Sequence, residues 1–200
     1  MNKYYTVANI NFLESERLEL IPVNESHVTE RYLGWLNDQE VTKYLESGRL
    51  PYSMGKLKQY VEEQMKRPII FLAIHEKADG SQIGNIKSDS THIGNIKIDA
   101  FKAMHLRAEY GIMIGDRSAW GKGYAEEASR LVIQHCFDRI NLRKITLGVV
   151  ADNEAAVKVY RDKLNFRQEG LMKAHQYCDG AYRDVLRMAT FKEQWLPAND

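Results

Sequence analysis

Apolar and polar positions alternate with a period of two in several short segments and recur every three or four residues in others, so strands and helices are both encoded. Leu18, Leu20 and Pro22 alternate against charged neighbours over residues 16–23, which predicts a first strand ending where Pro22 withholds a backbone donor. After Asn24, the spacing of Val28, Tyr32, Leu33, Trp35 and Leu36 predicts a helix closing near Asn37-Asp38. Leu57, Tyr60, Val61 and Met65 form the stripe of a second helix, Met54 to Lys66, which Pro68 stops. From Ile69 the period changes: a strand to His75, a turn at Asp79-Gly80 and a returning strand from Gln82 to Lys87.

Further along, Tyr110, Ile112 and Ile114 share one side of a strand over residues 108–115, and Glu109, Gly111 and Met113 the other. A polar loop, Asp116 to Gly123, leads into a helix whose apolar stripe is Ala125, Ala128, Leu131, Val132, Cys136 and Ile140. Lys144 to Ala151 predicts a strand, and Asp152 caps a helix from Asn153 to about Leu164. Leu171 to Tyr177 pairs with Tyr182 to Met188 across Asp179-Gly180. The order predicts mixed α/β architecture in one layered domain over residues 1–200, with about residues 1–14 as an N-terminal extension. Ile-Gly-Asn-Ile-Lys occurs at 83–87 and again at 93–97, an offset that preserves facing. It is expected to lengthen a hairpin and to carry no chemistry.

Charge narrows the partners. With 28 basic and 27 acidic residues the net charge is +1, which removes the long-range field of a nucleic-acid or membrane-surface binder, so neither is expected as a partner. The longest apolar run, Ile69 to Ile74, is far short of a membrane span, and the first residues lack the apolar stretch of a secretion signal. Cys136 and Cys178 show no ligand spacing, so neither a disulfide nor a zinc site is indicated and a cytoplasmic location is expected. Histidines 27, 75, 92, 105, 135 and 175 show no HxxxH or HxH pairing, and no metal is expected. Cys136, on an apolar stripe, reads as a buried inert thiol.

The loop before the helix at Ala125 holds the clearest chemistry. A helix amino terminus presents unpaired N–H groups and positive partial charge, and glycines let the backbone approach an anion. Gly121, Lys122, Gly123, Tyr124 and Ala125 fit a pyrophosphate site, with Arg117 and Lys122 to offset further charge. No GxxxxGK[ST] is present, and Glu126 stands where a dinucleotide fingerprint wants Gly or Ala. An ordinary turn is the alternative.

The stretches AEYGIMIGDRSAWGKGYAEEA, ADNEAAVKVYRDKLNF and YCDGAYRDVLRM resemble the GNAT superfamily of N-acetyltransferases, in particular its RimJ/RimL-like branch. The family loop Gln/Arg-x-x-Gly-x-Gly/Ala is matched at Gly123 and Ala125, while Trp120 departs from it. The resemblance implies a GNAT fold: a mostly antiparallel twisted sheet of about seven strands, splayed between the fourth and fifth, flanked by about four helices. It implies that the loop from Trp120 to Ala125 holds the pyrophosphate of acetyl-CoA and that Met113 and Ile114 pair with the pantetheine amides along an open strand edge. Asn153 and Ala156 match positions lining the cofactor.

An amine must lose a proton before it attacks a thioester. The resemblance assigns Glu109 as that base, the alternative being a strand carboxylate paired with a surface Lys or Arg. Tyr160, in the pattern Asn153, Ala156, Tyr160, is implied as the acid at the departing thiolate, or else is packing. Two departures accompany it: Asn165 replaces a glycine before Phe166, and Asp162 is an extra residue after Tyr160. Trp35 is a candidate to stack on an acceptor, or else a helix-packing residue. The expected function is direct acetyl transfer from acetyl-CoA to a primary amine in a ternary complex. The acceptor would be a nucleotide-linked amino sugar, another small amine or a protein N-terminal amine; a homodimer is an open option. A non-catalytic CoA-binding module of the same fold is the alternative function.

Overall fold

Eight strands and five α-helices are laid out in the computed structural model, which describes residues 11–78 and 90–195. The strands are β1 (Leu13–Glu14), β2 (Leu18–Pro22), β3 (Ile70–Glu76), β4 (Thr91–Lys102), β5 (Arg107–Ile114), β6 (Lys144–Val150), β7 (Arg167–Cys178) and β8 (Ala181–Phe191). The helices are α1 (Glu30–Asn37), α2 (Gln39–Thr42), α3 (Met54–Met65), α4 (Tyr124–Asp138) and α5 (Glu154–Lys158), the last continued by a π-helical turn, Val159–Lys163. The strands form one sheet in the order β1-β2-β3-β4-β5-β6-β8-β7, antiparallel except where β5 meets β6.

Period-two alternation decides which helices cover which face. Leu18, Leu20, Leu72 and Ile74 point to a core shared with Ala128, Val132 and Phe137 of α4, while Ala73 and Phe71 point the other way, to Trp35, Leu36, Leu57 and Val61 of α1 and α3. The result is a sheet between two helical layers. Most helix starts carry a side-chain cap: Thr29 accepts from Tyr32, Ser53 from Lys56 and, one residue beyond the expected Asp152, Asn153 from Ala156.

Three expectations change. The sheet has eight strands, because Leu13–Glu14, within the stretch assigned to an extension, pairs with β2 at Leu13↔Leu20. The splay therefore falls between the fifth and sixth strands. The second copy of the repeat, residues 93–97, lies in β4, a strand paired on both sides, with Ile93 and Ile96 fully buried. This copy is core, on one arm of the antiparallel β3–β4 pair. The first copy, the Asp79-Gly80 turn and the Gln82–Lys87 strand lie outside the described residues. The hairpin of β7 and β8 is longer than its alternation suggested, and its turn residues Asp179 and Gly180 both take positive φ, +51° and +77°, as a two-residue hairpin requires.

Beneath α1 the structure gathers three histidines that sequence spacing left apart. His27 Nδ1 accepts from the Asn24 N–H at 3.1 Å, so its Nε2 carries the proton and donates to His75 Nε2 at 3.3 Å. His75 stacks on His92, with ring centroids 5.1 Å apart, and the His92 Nε2–H faces Gly94 O and Asn95 Oδ1 at 3.0 and 3.1 Å. Burial pushes His27 down to about 4 and His92 to about 3, and lowers His75, so all three are neutral near pH 7. Among the described residues no group of His, Cys, Asp or Glu is arranged to hold a metal ion.

Candidate active site

The parallel pairing of β5 and β6 has only three rungs, Arg107↔Lys144, Ala108↔Ile145 and Glu109↔Thr146. Beyond them β5 runs on to Ile114 and β6 to Val150 without pairing, each held only by its outer neighbour, β4 or β8. A V-shaped gap opens there. Which backbone groups face it follows from two side-chain bonds: the Ala108 carbonyl accepts from Thr146 Oγ1 at 3.3 Å, and the Ile114 carbonyl from the Trp120 indole N–H at 2.8 Å. Both lie on the side away from β4, so alternation aims Tyr110 and Ile112 into the gap as well. Met113 differs from its expected part, because its carbonyl turns to β4, 2.3 Å from where a Cβ on Gly94 would sit. Its side chain packs with the α1 and α3 cluster. Period-two counting from either bonded residue would have picked Ile112 instead.

At the wide end of the gap lies the loop. Gly121 and Gly123 have φ of +75° and +83°, conformations that cost side-chain-bearing residues about 1–2 kcal/mol. Gly123 is the N-cap of α4 and offers no side chain, so the first amides of this helix keep no capping partner. The loop is braced by the residue just before β2: Arg17 donates to the Lys122 carbonyl at 3.0 Å, pairs with Glu127 and lies 4.7 Å over the Tyr124 ring. Tyr124 donates to Glu76, which holds its hydroxyl up to about 12. Arg117 and Lys122 are engaged in exposed ion pairs with Asp38 at 3.8 Å and Glu76 at 3.5 Å, weak enough to exchange for another anion. Ala125 is the second residue of α4, and its carbonyl accepts from Ser129.

At the closed end stand two polar groups on opposite faces. Glu109, on the last paired rung, accepts from Arg187 Nη1 at 2.8 Å through Oε1, and its side chain is 46% exposed. Tyr160 lies on the α4 side, half-buried, with ring contacts to Tyr110 and Phe166 at 5.9 Å each. Burial pushes its hydroxyl up to about 12, so it is protonated at neutral pH. Nearby Tyr110 has its hydroxyl committed to Ser129 at 2.6 Å. The Tyr160 hydroxyl makes no hydrogen bond among the described residues, and its ring is held by Tyr110 and Phe166.

Asp162 lies in the π-helical turn: the Leu164 N–H reaches back five residues to the Val159 carbonyl at 3.1 Å, and the Phe166 N–H six to Tyr160 at 2.9 Å. Asn165 takes φ of +52° and closes the helix as a glycine would. Leu164 and Phe166 are fully buried, so the wider turn leaves the helix end seated on the core. Asn153 caps α5, accepting from the Ala156 N–H at 3.3 Å. Trp35 is 7% exposed and lies 4.8 Å from His92, against Gly115, so its place is in the packing under α1 rather than on an open surface. An open cleft of about 340 Å³ between α2 and the β7–β8 hairpin is lined by Glu40 and Asp179 as well as Lys43 and Arg49. Both cysteines are buried free thiols, and burial raises Cys136 to about 12.

The model of the acetyltransferase (GNAT) domain family matches residues 17–167. Over 93 residues the chain is 39% identical to the spermidine N(1)-acetyltransferase of Escherichia coli K12, a match covering 46% of this chain and 49% of that protein, so it spans about half the length of that relative. An uncharacterized N-acetyltransferase of Bacillus subtilis, YoaA, is 28% identical over 174 residues, 86% of this chain and 92% of that one. Among solved structures, spermidine N-acetyltransferase from Vibrio cholerae in complex with CoA and spermine superposes with a TM-score of 0.76 at 21% identity, covering 90% of this chain and 98% of that one.

Proposed function

The chain belongs to the GNAT acetyltransferase domain family, and from that premise we propose that it transfers an acetyl group from acetyl-CoA directly to a primary amine. The observation that carries the proposal is the gap itself: β5 and β6 share three rungs and then part, leaving an open strand edge between a glycine loop and a protonated tyrosine. An extended chain carrying amides can add to such an edge through Ile112 and Ile114. The uncapped start of α4, from Gly121 to Ala125, would hold the diphosphate, with Arg117 and Lys122 released from their surface pairs to offset its charge. Asn153 and Ala156 would line the same path.

Glu109 and Tyr160 act from the two faces of the sheet on a thioester lying in the gap. The free Glu109 oxygen accepts the ammonium proton, directly or through water, so that the amine attacks as a neutral nucleophile. Tyr160 gives its proton to the sulfur as the thiolate leaves, a role that its raised value permits at neutral pH. The RimJ/RimL-like branch is part of the same proposal, supported by the run Trp120-Gly121-Lys122-Gly123-Tyr124.

For the acceptor, the relatives named for spermidine support a polyamine ahead of a nucleotide-linked amino sugar, for which the buried Trp35 offers no ring to stack on. The balanced charges of the α2 cleft give a polycation no special hold there. The deciding experiment is CoA release with spermidine, spermine, amino-sugar nucleotides and peptides, followed by mass spectrometry of the product. Acetylation of a primary amine is expected; acetyl-CoA binding without turnover across the panel would leave the non-catalytic module.

A further inference from the structure

Arg187 of β8 is separated from β5 by the whole width of β6, yet its guanidinium reaches Glu109 at 2.8 Å. The register explains how. Arg187 pairs with Gly148, two residues past Thr146, the last β6 residue to pair with β5. Gly148 has no side chain on the face that Arg187 crosses; a Cβ there would stand 3.0 Å from Arg187 Nη1 and 3.5 Å from Val185 Cγ1. The guanidinium thus passes over a glycine saddle and ties β8 to β5 where β5 and β6 begin to separate.

Both partners are partly exposed, 34% for Arg187 and 46% for Glu109, so the pair adds little to stability. Its geometric effect is larger. Arg187 engages Oε1 and fixes the rotamer of a carboxylate that would otherwise swing in solvent, leaving Oε2 open to receive a proton. The guanidinium also reaches Glu109 from the β6 side, at the narrow end of the gap.

We infer that Arg187 is a positioning residue for the transfer reaction: through the space left by Gly148 it holds the Glu109 carboxylate in place at the start of the strand separation. The inference rests on the acetyltransferase reading and adds a residue to it.

The test is a kinetic cycle with Arg187→Met, Glu109→Gln and the double variant, together with Arg187→Lys and Gly148→Ala, read as kcat, KM for acetyl-CoA and melting temperature. Arg187→Met should lower kcat about 10- to 100-fold while KM for acetyl-CoA changes less than about threefold and melting shifts by a few degrees at most. The double variant should be no slower than Glu109→Gln alone, and Arg187→Lys should recover part of the rate. Gly148→Ala, which displaces the guanidinium without removing it, should show a milder loss of the same kind and serves if Arg187→Met does not fold. Multiplicative losses in the double variant, or a wild-type kcat in Arg187→Met, would overturn the inference while leaving acetyl transfer intact. A wild-type protein that binds acetyl-CoA and turns over no amine would instead remove the acetyltransferase reading, and this role with it.

Discussion

Between β3 and β4 the pairing runs from Ile70↔Ile98 to Glu76↔Thr91 with a single irregularity, whereas β5 and β6 share three rungs and then diverge. Under the first pair every histidine has a defined tautomer: His27 is bonded to Asn24, His75 to His27, and His92 to Gly94 and Asn95. At the second, the loop amides of α4 and the Tyr160 hydroxyl carry no partner of this kind. The two regions share one sheet, so the difference is not one of fold. Where the sheet is zipped the histidine rings are tied to neighbouring polar groups, with only His92 Nδ1 and Asn95 Nδ2 left buried without a partner among the described residues of that cluster, whereas where it parts the polar groups face an open edge. Changes in the closed region should therefore cost stability, and changes at the gap should cost turnover.

The largest effect should come from Gly115→Ala, which would put a Cβ 2.1 Å from Trp35 Cδ2 in the packed layer. A loss of ~3 kcal/mol or more is expected, seen as a drop of roughly 6–12 °C in melting temperature. Wild-type melting would mean that the closed region is looser than described. Next, Tyr160→Phe should lower kcat about a hundredfold, equivalent to ~2.7 kcal/mol, with melting nearly unchanged. Full activity would reduce Tyr160 to packing, and the contrast with Tyr110 would lose its meaning.

Counted per histidine, acid acting on the closed region comes third. The folded values of His27 and His92 lie below the usual 6.5, at about 4 and about 3, so the unfolded chain binds protons first as pH falls. The stabilisation is complete above about pH 6.5 and is lost progressively towards those values, on the order of 2 kcal/mol per histidine by pH 5. Urea unfolding at pH 7.5 and pH 5 measures it, and His27→Gln should flatten part of the slope. The smallest effect should come from Gly123→Ala at φ +83°: ~1 kcal/mol of backbone strain, read chiefly as a severalfold higher KM for acetyl-CoA.

The open region was the more legible of the two in the sequence. Alternation over residues 108–115, the paired glycines and the tolerance of Asn165 for positive φ are local signals, and each found its place. The family pattern led to Tyr160, although the π-helical turn that accommodates Asp162 depends on which carbonyl an amide selects, which spacing does not encode. The histidine cluster was illegible because its members come from a turn and two strands far apart in the chain, and only strand register unites them. The contact of Arg187 with Glu109 was hidden for the same reason, and it requires Gly148 to be read as an absence of side chain on a particular face. Trp35 was ambiguous because an aromatic on an amphipathic helix serves packing and stacking equally well until its neighbours are known.

Residue-resolved amide hydrogen exchange along β5, with and without CoA, tests the open edge most directly. Gly111 and Met113, turned towards β4, should be protected in both states, while Ile112 and Ile114 should exchange quickly in the free protein and become protected when CoA is added. Equal exchange at Ile112 and Ile114 with saturating CoA would contradict the account.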